Sequence, residues 1–419
     1  MKIIWLCNTL IEEVCEKVNI KRNKPESWIS ATYEFVKGLD DIEVMYLFPH
    51  AKHVEYLEDN FIFKSYPQTK IDKIESNQVE YFKEILKNYN PDVIHVFGTE
   101  YSHSLAMTIA AKELKISDRV VINIQGMVSI YSKHYFGFLP EKETRKYTFR
   151  DFVKRENLKN QQKKFAKRGK LEIEAIKNAS HVIGRTDWDK ACTSRINKDA
   201  KYHYLSETLR NAFYEDKWDY DKCEKHSIFA SQCQYPLKGF HLLLEAFKEV
   251  CETYKDAKLY TTGSSPFNLS LKQKLRQTYY KKYLGKLIKK YNLKDKVVFL
   301  GRLSESEMKE RLIKSNVFVC PSSIENSPNS LGEAMLLGVP SISSDVGGIK
   351  NICTHIKEGY IYPADATYML AYYIKKIFED KNSVQSMCNN AMQKARKLYD
   401  KDNNFNTLRG IYVDIINGN

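Results

Sequence analysis

Short apolar runs alternate with longer segments of helical periodicity along nearly the whole chain, and the alternation occurs twice. This order is typical of βαβ units, in which helices cover both faces of a parallel sheet. Residues 211–225, between the two series, are charged and aromatic without periodicity, as expected of a linker. The sequence therefore predicts an α/β protein with two doubly wound, Rossmann-like domains. The predicted strands are 3–7, 42–47, 93–97, 120–124, 181–183 and 202–205 in the first half, and 227–230, 258–262, 297–300, 318–320 and 341–343 in the second.

Length and cysteine usage bound the class of protein. The 419 residues exceed what one hydrophobic core usually supports. The nine cysteines are scattered and form no CxxC pair, which argues against a disulfide framework and against a zinc site. The apolar stretch after Met1 is too short for a signal sequence, and no apolar run approaches about 20 residues. We expect a cytoplasmic protein, soluble or peripheral to a membrane.

Positive charge is concentrated in one segment of this basic chain. Between Glu141 and Lys170 there are twelve Lys or Arg and four acidic residues, and aromatic side chains are interleaved with the bases. One interpretation is a solvated helical face. The other is contact with an anionic membrane, which would place the protein at the inner face of the plasma membrane. Nucleic acid is not expected as a partner, because no recognised binding motif accompanies the charge.

The segment 317–340 is predicted to join a buried strand to a helix. Val317 to Cys320 is short and β-branched, Asn326 or Ser327 suits the helix cap, Pro328 suits the first helical position, and Gly338 suits the helix end. A helix that opens at the carboxyl end of a parallel strand offers N–H groups and a dipole to a phosphate. Glu325 and Glu333 would repel phosphate, so they are expected to accept hydrogen bonds from sugar hydroxyls on either side of a diphosphate. This pattern indicates a site for a nucleotide-sugar.

Four motifs in the second half resemble those of retaining family 4 glycosyltransferases of the GT-B fold. They are Glu325 and Glu333 with the following Ala-Met and Gly-Val-Pro, 235–240, 300–303 and 345–348. The first half is similar to bacterial surface-polysaccharide members through 1–8 and 92–100. The resemblance implies two Rossmann-like domains facing across a cleft. It implies an acceptor domain over 1–210, a donor domain over 211–395, and a terminal helix, 396–419, that returns to the first domain.

The resemblance also assigns roles to single residues. Lys238 is expected to stabilise the leaving diphosphate, Glu325 to hold the transferred sugar and Glu333 the ribose. No metal and no cofactor are expected, and Asp187 and Asp189, formally a DxD motif, are expected to be a helix cap and a surface acid. The remaining predicted donor-binding residues are Asn329, Ser330 and Leu331 at the helix start, Leu303, Arg302 and Gln232.

The chain departs from the family pattern at several positions. Gln232 stands where the family usually has an Arg, and Arg302, Arg210 or Arg185 are candidates to replace that charge. The loop 23–28 has no glycine, whereas family members often carry a Gly-Gly pair there. Gln125 stands where a catalytic His could be. His95 and His103 are the nearest substitutes, but the favoured interpretation of each is a hydrogen-bonded structural histidine.

These observations predict a retaining glycosyltransferase. It would move a sugar from a UDP- or GDP-sugar to a saccharide or lipid-linked acceptor, in the synthesis of a cell-surface polysaccharide or glycoconjugate. One alternative is a GT-B-fold nucleotide-sugar epimerase, which would need no acceptor. Another is a non-catalytic subunit that binds a nucleotide-sugar, as Gln232, Gln125 and the missing glycine loop would allow.

Overall fold

The computed structural model describes residues 1–20 and 29–418, which form two α/β units. Its strands are β1 (Lys2–Leu6), β2 (Glu43–His50), β3 (Glu55–Glu58), β4 (Phe61–Pro67), β5 (Val93–Phe97), β6 (Val120–Asn123), β7 (His181–Gly184), β8 (Lys201–Tyr204), β9 (Glu224–Ala230), β10 (Lys258–Thr261), β11 (Val297–Phe299), β12 (Ser315–Cys320), β13 (Ser341–Ser344) and β14 (Tyr360–Tyr362).

Helices connect almost all of these strands. They are α1 (Glu12–Lys17), α2 (Ser30–Val36), α3 (Ser76–Tyr89), α4 (Ser102–Glu113), α5 (Val128–His134), α6 (Glu141–Thr144), α7 (Phe149–Lys154), α8 (Leu158–Lys177), α9 (Asp187–Ile196), α10 (Phe240–Thr253), α11 (Leu271–Leu275), α12 (Tyr279–Lys290), α13 (Glu305–Lys314), α14 (Asn329–Leu336), α15 (Ile349–Ile352), α16 (Thr367–Glu379), α17 (Lys381–Leu398) and α18 (Lys401–Ile416). None of the helices in the described residues is both long and apolar enough to cross a membrane.

The first unit contains 1–130, 164–208 and 399–419. Its sheet has the order β3-β4-β2-β1-β5-β6-β7-β8, parallel except for the edge strand β3. Side chains alternate between the two faces, so Ile3 and Trp5 join one core cluster while Ile4 and Leu6 join the other. Helix α18 packs in this unit, where Tyr412 accepts a hydrogen bond from Trp5 Nε1 at 3.0 Å.

The second unit contains 131–163 and 209–398. Its sheet is parallel and has the order β11-β10-β9-β12-β13-β14, which is the strand order of a Rossmann fold. All six residues of β12 and all four of β13 are buried, because helices cover both faces of these central strands. The chain order reverses between β9 and β12, and the carboxyl ends of the two strands meet there.

The predicted α/β class and the predicted strands are confirmed, and the structure adds three strands. The hairpin of β3 and β4 turns at Asp59, whose φ is 51°, and β14 closes the second sheet. The units divide the chain at 208/209 and 398/399, and 131–163 is grouped with the second unit. The segment predicted as a linker packs inside that unit, since buried Trp218 donates from Nε1 to the Ser315 carbonyl at 2.8 Å.

Candidate functional site

The candidate site lies in the second unit, at the carboxyl ends of three neighbouring strands. Loops leave β9 at 231–239, β12 at 321–328 and β13 at 345–348. The strands are adjacent in the order β9, β12, β13, so these loops meet at one edge of the sheet. This is the position at which open α/β sheets bind ligands. The four residues with the strongest predicted roles all belong to this unit: Lys238, Glu325, Asn329 and Glu333.

Lys238 and Glu325 form an ion pair at this edge. Lys238 Nζ lies 2.6 Å from Glu325 Oε1, and the Ser322 hydroxyl donates to the same oxygen at 2.7 Å. Desolvation lowers the pKa of Lys238, but the Glu325 carboxylate outweighs it, so the pKa is raised and the ammonium stays charged. The repulsion expected between Glu325 and a phosphate is therefore offset by a cation beside it.

Two glycines allow the backbone of the loops to meet. Gly239 has φ +64°, and a Cβ there would lie 1.7 Å from the Pro321 carbonyl oxygen. Gly347 has φ +51°, and a Cβ there would lie 1.8 Å from the Glu325 carbonyl oxygen. The same oxygen accepts from the Gly348 N–H at 3.1 Å. No other residue type fits these positions without displacing the loop that carries Glu325.

Helix α14 begins at this junction. It starts at Asn329 with Pro328 as the N-cap residue, so the predicted cap at Asn326 or Ser327 is one to two residues too early. The prediction was wrong there because Pro328 has an extended ψ of 116°, which places it before the first helical residue. Asn329 and Ser330 are half-buried in the first turn, and Leu331 is fully buried. The N-terminus of the helix provides N–H groups and a positive dipole for an anion.

Glu333, in the second turn of α14, is held by an arginine. Arg210 donates from Nε to Oε1 at 2.7 Å and from Nη2 to Oε2 at 2.9 Å. The side chain of Glu333 is almost fully buried, and the Arg210 guanidinium also lies over the Phe213 ring at 4.6 Å. A bidentate pair of this kind fixes the carboxylate plane and leaves lone pairs on both oxygens for a further donor.

The other predicted donor-binding residues lie nearer the surface. Gln232 is exposed in the loop after β9. Leu303 is half-buried and Arg302 is exposed after β11, which β10 separates from β9. Of the arginines considered as replacements for the missing family Arg, Arg210 is the one that pairs with a predicted donor-binding residue, Glu333. Arg185 belongs to the first unit and pairs there with Glu207 at 2.7 Å.

The predicted residues of the first half are placed differently. His95 is fully buried in the core, with Nδ1 2.6 Å from the Tyr412 hydroxyl, and burial lowers the pKa of His95 to about 3. His103 is also buried, and burial lowers its pKa to about 3. Gln125 is half-buried at the end of β6, where its Oε1 accepts from Arg185 at 3.1 Å. The loop 23–28 lies outside the described residues.

Asp187 and Asp189 have the roles expected of helix-start acids. Asp189 is buried in a capping box with Thr186 and also accepts from the Tyr202 hydroxyl, while Asp187 is exposed. In the described part of the chain, no group of three or more His, Cys, Asp or Glu side chains is arranged to hold a metal ion.

Two features of the site were not assigned from the sequence. The bidentate contact of Arg210 with Glu333 joins residues 123 positions apart, and Arg210 immediately precedes the aperiodic stretch 211–225, so no local pattern signals the contact. The second feature is the hydrogen bond from the Ser322 hydroxyl to Glu325. Its signal in the sequence is the position of Ser322, two residues after the end of a buried parallel strand that was predicted.

Comparison with known proteins finds a family match over the part of the chain that contains Lys238, Glu325 and Glu333. Residues 213–397 match the model of the family described as Glycosyl transferases group 1. The chain is 24% identical over 225 residues to N-acetyl-alpha-D-glucosaminyl L-malate synthase of Bacillus anthracis, covering 52% of this chain and 55% of that protein. It is 28% identical over 181 residues to an uncharacterized glycosyltransferase of Methanocaldococcus jannaschii, covering 43% of this chain and 42% of that protein. The chain thus spans about half the length of the curated relatives it matches.

Solved structures share the fold over the whole chain. Sucrose-phosphate synthase from Thermosynechococcus elongatus has a TM-score of 0.70 at 16% identity, covering 100% of both chains. Anabaena HepE, solved in complex with UDP-glucose, has a TM-score of 0.67 at 15% identity, covering 99% of this chain and 100% of that one. The fold of this protein is the GT-B fold of glycosyltransferases, with two Rossmann-like domains.

Proposed function

We propose that the protein is a glycosyltransferase that takes a sugar from a nucleotide-sugar bound in its second unit. The observation that carries the proposal is the ion pair between Lys238 and Glu325 beside the N-terminus of α14. This edge of the sheet combines a fixed cation, a helix dipole and two buried carboxylates. A nucleoside diphosphate-sugar has matching groups, because its diphosphate is flanked by the hydroxyls of two sugar rings.

The proposed chemistry follows from the charge that develops during transfer. As the bond between the sugar and the diphosphate breaks, negative charge accumulates on the diphosphate, and Lys238 and the first turn of α14 stabilise it. Glu325 accepts hydrogen bonds from the transferred sugar, and Glu333, oriented by Arg210, accepts them from the ribose. These contacts hold the donor for attack, so they act on transition-state orientation as well as on affinity.

The finer features of the reaction are also proposals. We expect retention of configuration, with the acceptor attacking from the face that the diphosphate leaves and a phosphate oxygen taking the proton. Such a path needs no protein nucleophile and no separate base, in contrast to retaining glycoside hydrolases, which use two carboxylates. Lys238 supplies the positive charge at the diphosphate, so we expect activity without a divalent metal.

The donor is proposed to be a UDP- or GDP-sugar, and the acceptor a saccharide or lipid-linked saccharide of the cell surface. Support for UDP comes from the fold shared with HepE, whose structure holds UDP-glucose. Support for a sugar acceptor or small hydroxylated acceptor comes from the partial similarity to N-acetyl-alpha-D-glucosaminyl L-malate synthase and to a putative colanic acid biosynthesis glycosyltransferase of Escherichia coli.

The test is release of nucleoside diphosphate from a panel of UDP- and GDP-sugars, with and without saccharide acceptors and with EDTA present. Turnover is expected for one donor, and Lys238→Met and Glu325→Gln should each reduce it by about 100-fold or more. Lys375→Met is the matched control. Lys375 Nζ lies 2.8 Å from Glu249 Oε1, so this variant also breaks an ion pair, but one that does not belong to the candidate site. Equal turnover in the control and in both site variants would refute the proposal. Binding of UDP without turnover of any donor would favour a non-catalytic subunit.

A further inference from the structure

Helix α7 turns its aromatic side chains to solvent and its carboxylate to the interior. Phe149 and Phe152 are each 67% exposed and Val153 is 57% exposed, whereas Asp151 is 1% exposed. Positions i, i+3 and i+4 share one face of a helix, so these three apolar side chains lie together. A helix at the surface of a soluble protein normally has the opposite arrangement.

Internal hydrogen bonds fix this orientation. Asp151 completes a capping box with Thr148, and its Oδ2 accepts from the Tyr279 backbone N–H at 2.8 Å. The Thr148 hydroxyl donates to the Gln277 carbonyl at 2.8 Å. Rotating α7 to bury its aromatic face would break the contacts of a buried carboxylate, which is costly. The hydrogen bonds of Asp151 and Thr148 therefore hold the aromatic face of α7 in its exposed orientation.

A second apolar face lies close by in the same unit. Helix α11 ends two residues before Gln277, and its Leu271 and Leu275 are 79% and 59% exposed at i and i+4. We call the five exposed apolar residues of these two helices, together with Tyr147 just before α7, the basic aromatic surface. Its members are Tyr147, Phe149, Phe152, Val153, Leu271 and Leu275.

Positive charge is concentrated in the same two segments of the chain as these apolar residues. From Ser264 to Leu293 the chain contains eight Lys or Arg and no Asp or Glu. Around α7, the acidic side chains are already matched: Glu141 pairs with Arg145 and Glu143 with Lys146. Lys154 is exposed beside the aromatic residues. A ligand that matches this surface needs an apolar interior for the aromatic and leucine side chains and anionic groups at its surface for the lysines and arginines.

We propose that the basic aromatic surface binds the interface of a bilayer that contains anionic lipids. The aromatic and leucine side chains would enter the boundary between headgroups and acyl chains, and the surrounding Lys and Arg would contact lipid phosphates. A soluble polyanion would use the charge but gives no reason to expose six large apolar side chains. The proposed surface differs from the segment 141–170 predicted from the sequence. Leu158 is excluded because it is buried, Phe165 is excluded because it packs against Arg168, and the exposed leucines of α11 are added.

The surface can be tested by flotation of the full chain with vesicles, which needs no activity and so is independent of the proposed function. We expect binding to vesicles of phosphatidylcholine with phosphatidylglycerol, and weak binding to phosphatidylcholine alone. Phe149→Ser with Phe152→Ser should reduce binding about 10-fold or more, and Lys272→Glu with Lys274→Glu should do the same. A Phe149→Trp variant should show a blue shift of the added tryptophan emission when anionic vesicles are present.

Matched control variants distinguish binding through this surface from non-specific adsorption to vesicles. Tyr368→Ser with Tyr372→Ser removes two aromatics that are 66% and 54% exposed on α16, and Arg396→Glu with Lys397→Glu makes the same charge change on α17. Both controls should bind vesicles like the parent protein. Absence of binding to anionic vesicles, or equal loss in the controls, would overturn the proposal. Loss with the charge variant alone would do so too, since it would indicate a polyanion site.

Discussion

Arg210 donates hydrogen bonds to both carboxylate oxygens of Glu333, from Nε at 2.7 Å and from Nη2 at 2.9 Å, although the two residues are 123 positions apart. The pair lies in the second unit, where Glu333 is the carboxylate proposed to receive the ribose. Free rotation of an unpaired glutamate would cost entropy on binding. Arg210 removes that cost by holding the carboxylate in one plane, so we regard it as a positioning residue.

Replacement of Arg210 by Lys should weaken nucleotide binding. A lysine keeps the charge but cannot form both hydrogen bonds, and we expect the Kd for the preferred nucleoside diphosphate to rise about 10-fold, or about 1.4 kcal/mol. Glu333→Gln should weaken binding by a similar amount. The double variant should lose less than the sum of the two, since both changes remove one interaction. Calorimetric titration measures all three, and additive losses would show that the pair does not act as a unit.

Lys238 should contribute to stability and to function by separable routes. Lys238→Met leaves the buried Glu325 carboxylate without its cation, and we expect the free energy of unfolding to fall by about 3 kcal/mol. Adding Glu325→Leu should restore most of that loss, because no unpaired charge then remains buried. Activity should not return in the double variant. Urea unfolding and donor turnover measured on the same samples decide this, and recovery of activity together with stability would contradict the assigned roles.

The two close-approach glycines should tolerate no side chain. Gly239→Ala or Gly347→Ala puts a Cβ less than 2 Å from a carbonyl oxygen at positive φ, so each should cost about 3 kcal/mol or more of unfolding free energy. Gly301→Ala is the control, because Gly301 has φ +77° but nothing within 4 Å of a Cβ. It should show only the smaller cost of backbone strain, about 1 kcal/mol. Similar thermal shifts in all three variants would mean that loop contact is not the cause.

Folding stability should fall on mild acidification. Burial lowers the pKa of His95 and His103 to about 3 and that of His241 to about 4, while the unfolded side chains titrate near 6.5. Below pH 6.5 the unfolded chain therefore binds protons that the folded chain does not. Each histidine removes up to about 1.4 kcal/mol per pH unit, and the contribution is fully present only above pH 6.5. Urea unfolding at several pH values between 7.5 and 5 measures the slope, and a flat profile would contradict the neutral buried state.

The effect of Glu172 on stability should have the opposite pH dependence, because its pKa is raised in the folded protein. Replacement of Glu172 by a neutral amide should also destabilise the fold. Its oxygens accept from Thr99 Oγ1, the Val128 N–H, and both the N–H and hydroxyl of Ser129, while burial raises the pKa of Glu172 to about 7. Glu172→Gln points an amide NH₂ at donors and should lower the unfolding free energy by about 2 kcal/mol. Glu174→Gln, on the exposed face of the same helix, should be neutral. Equal effects of the two changes would argue against these contacts.

The parts of the fold that the sequence predicts are those with local signals. Buried strands such as Val93–Phe97 are continuous apolar runs. The sequence Ser-Glu-Ser-Glu at 304–307 has the four-residue pattern of a capping box, and a capping box is present at the start of α13. Strand β4 was missed because Phe61–Pro67 includes Lys64 and Ser65 and ends on Pro67, so its pattern is not that of a buried strand. Its partner β3 is half exposed and lacks an apolar run altogether.

Sequence motifs single out individual site residues but not the contacts between them. Lys238, Glu325 and Glu333 were named because each stands in a motif, and their functional roles stay predictions. The contacts between them depend on which strands are neighbours, and sequence periodicity carries no strand order. The contact of Arg210 with Glu333 and the inward position of Asp151 in α7 both result from long-range packing, so no window of sequence around either residue signals them.

We propose that a nucleoside diphosphate binds at the junction of β12 and α14. A crystal structure of the protein with UDP or GDP tests this proposal directly. We expect the diphosphate within hydrogen-bonding distance of Lys238 Nζ and the first turn of α14, with the ribose hydroxyls on Glu333. A nucleotide bound elsewhere, with Lys238 still paired to Glu325 and Glu333 contacting only Arg210, would contradict it.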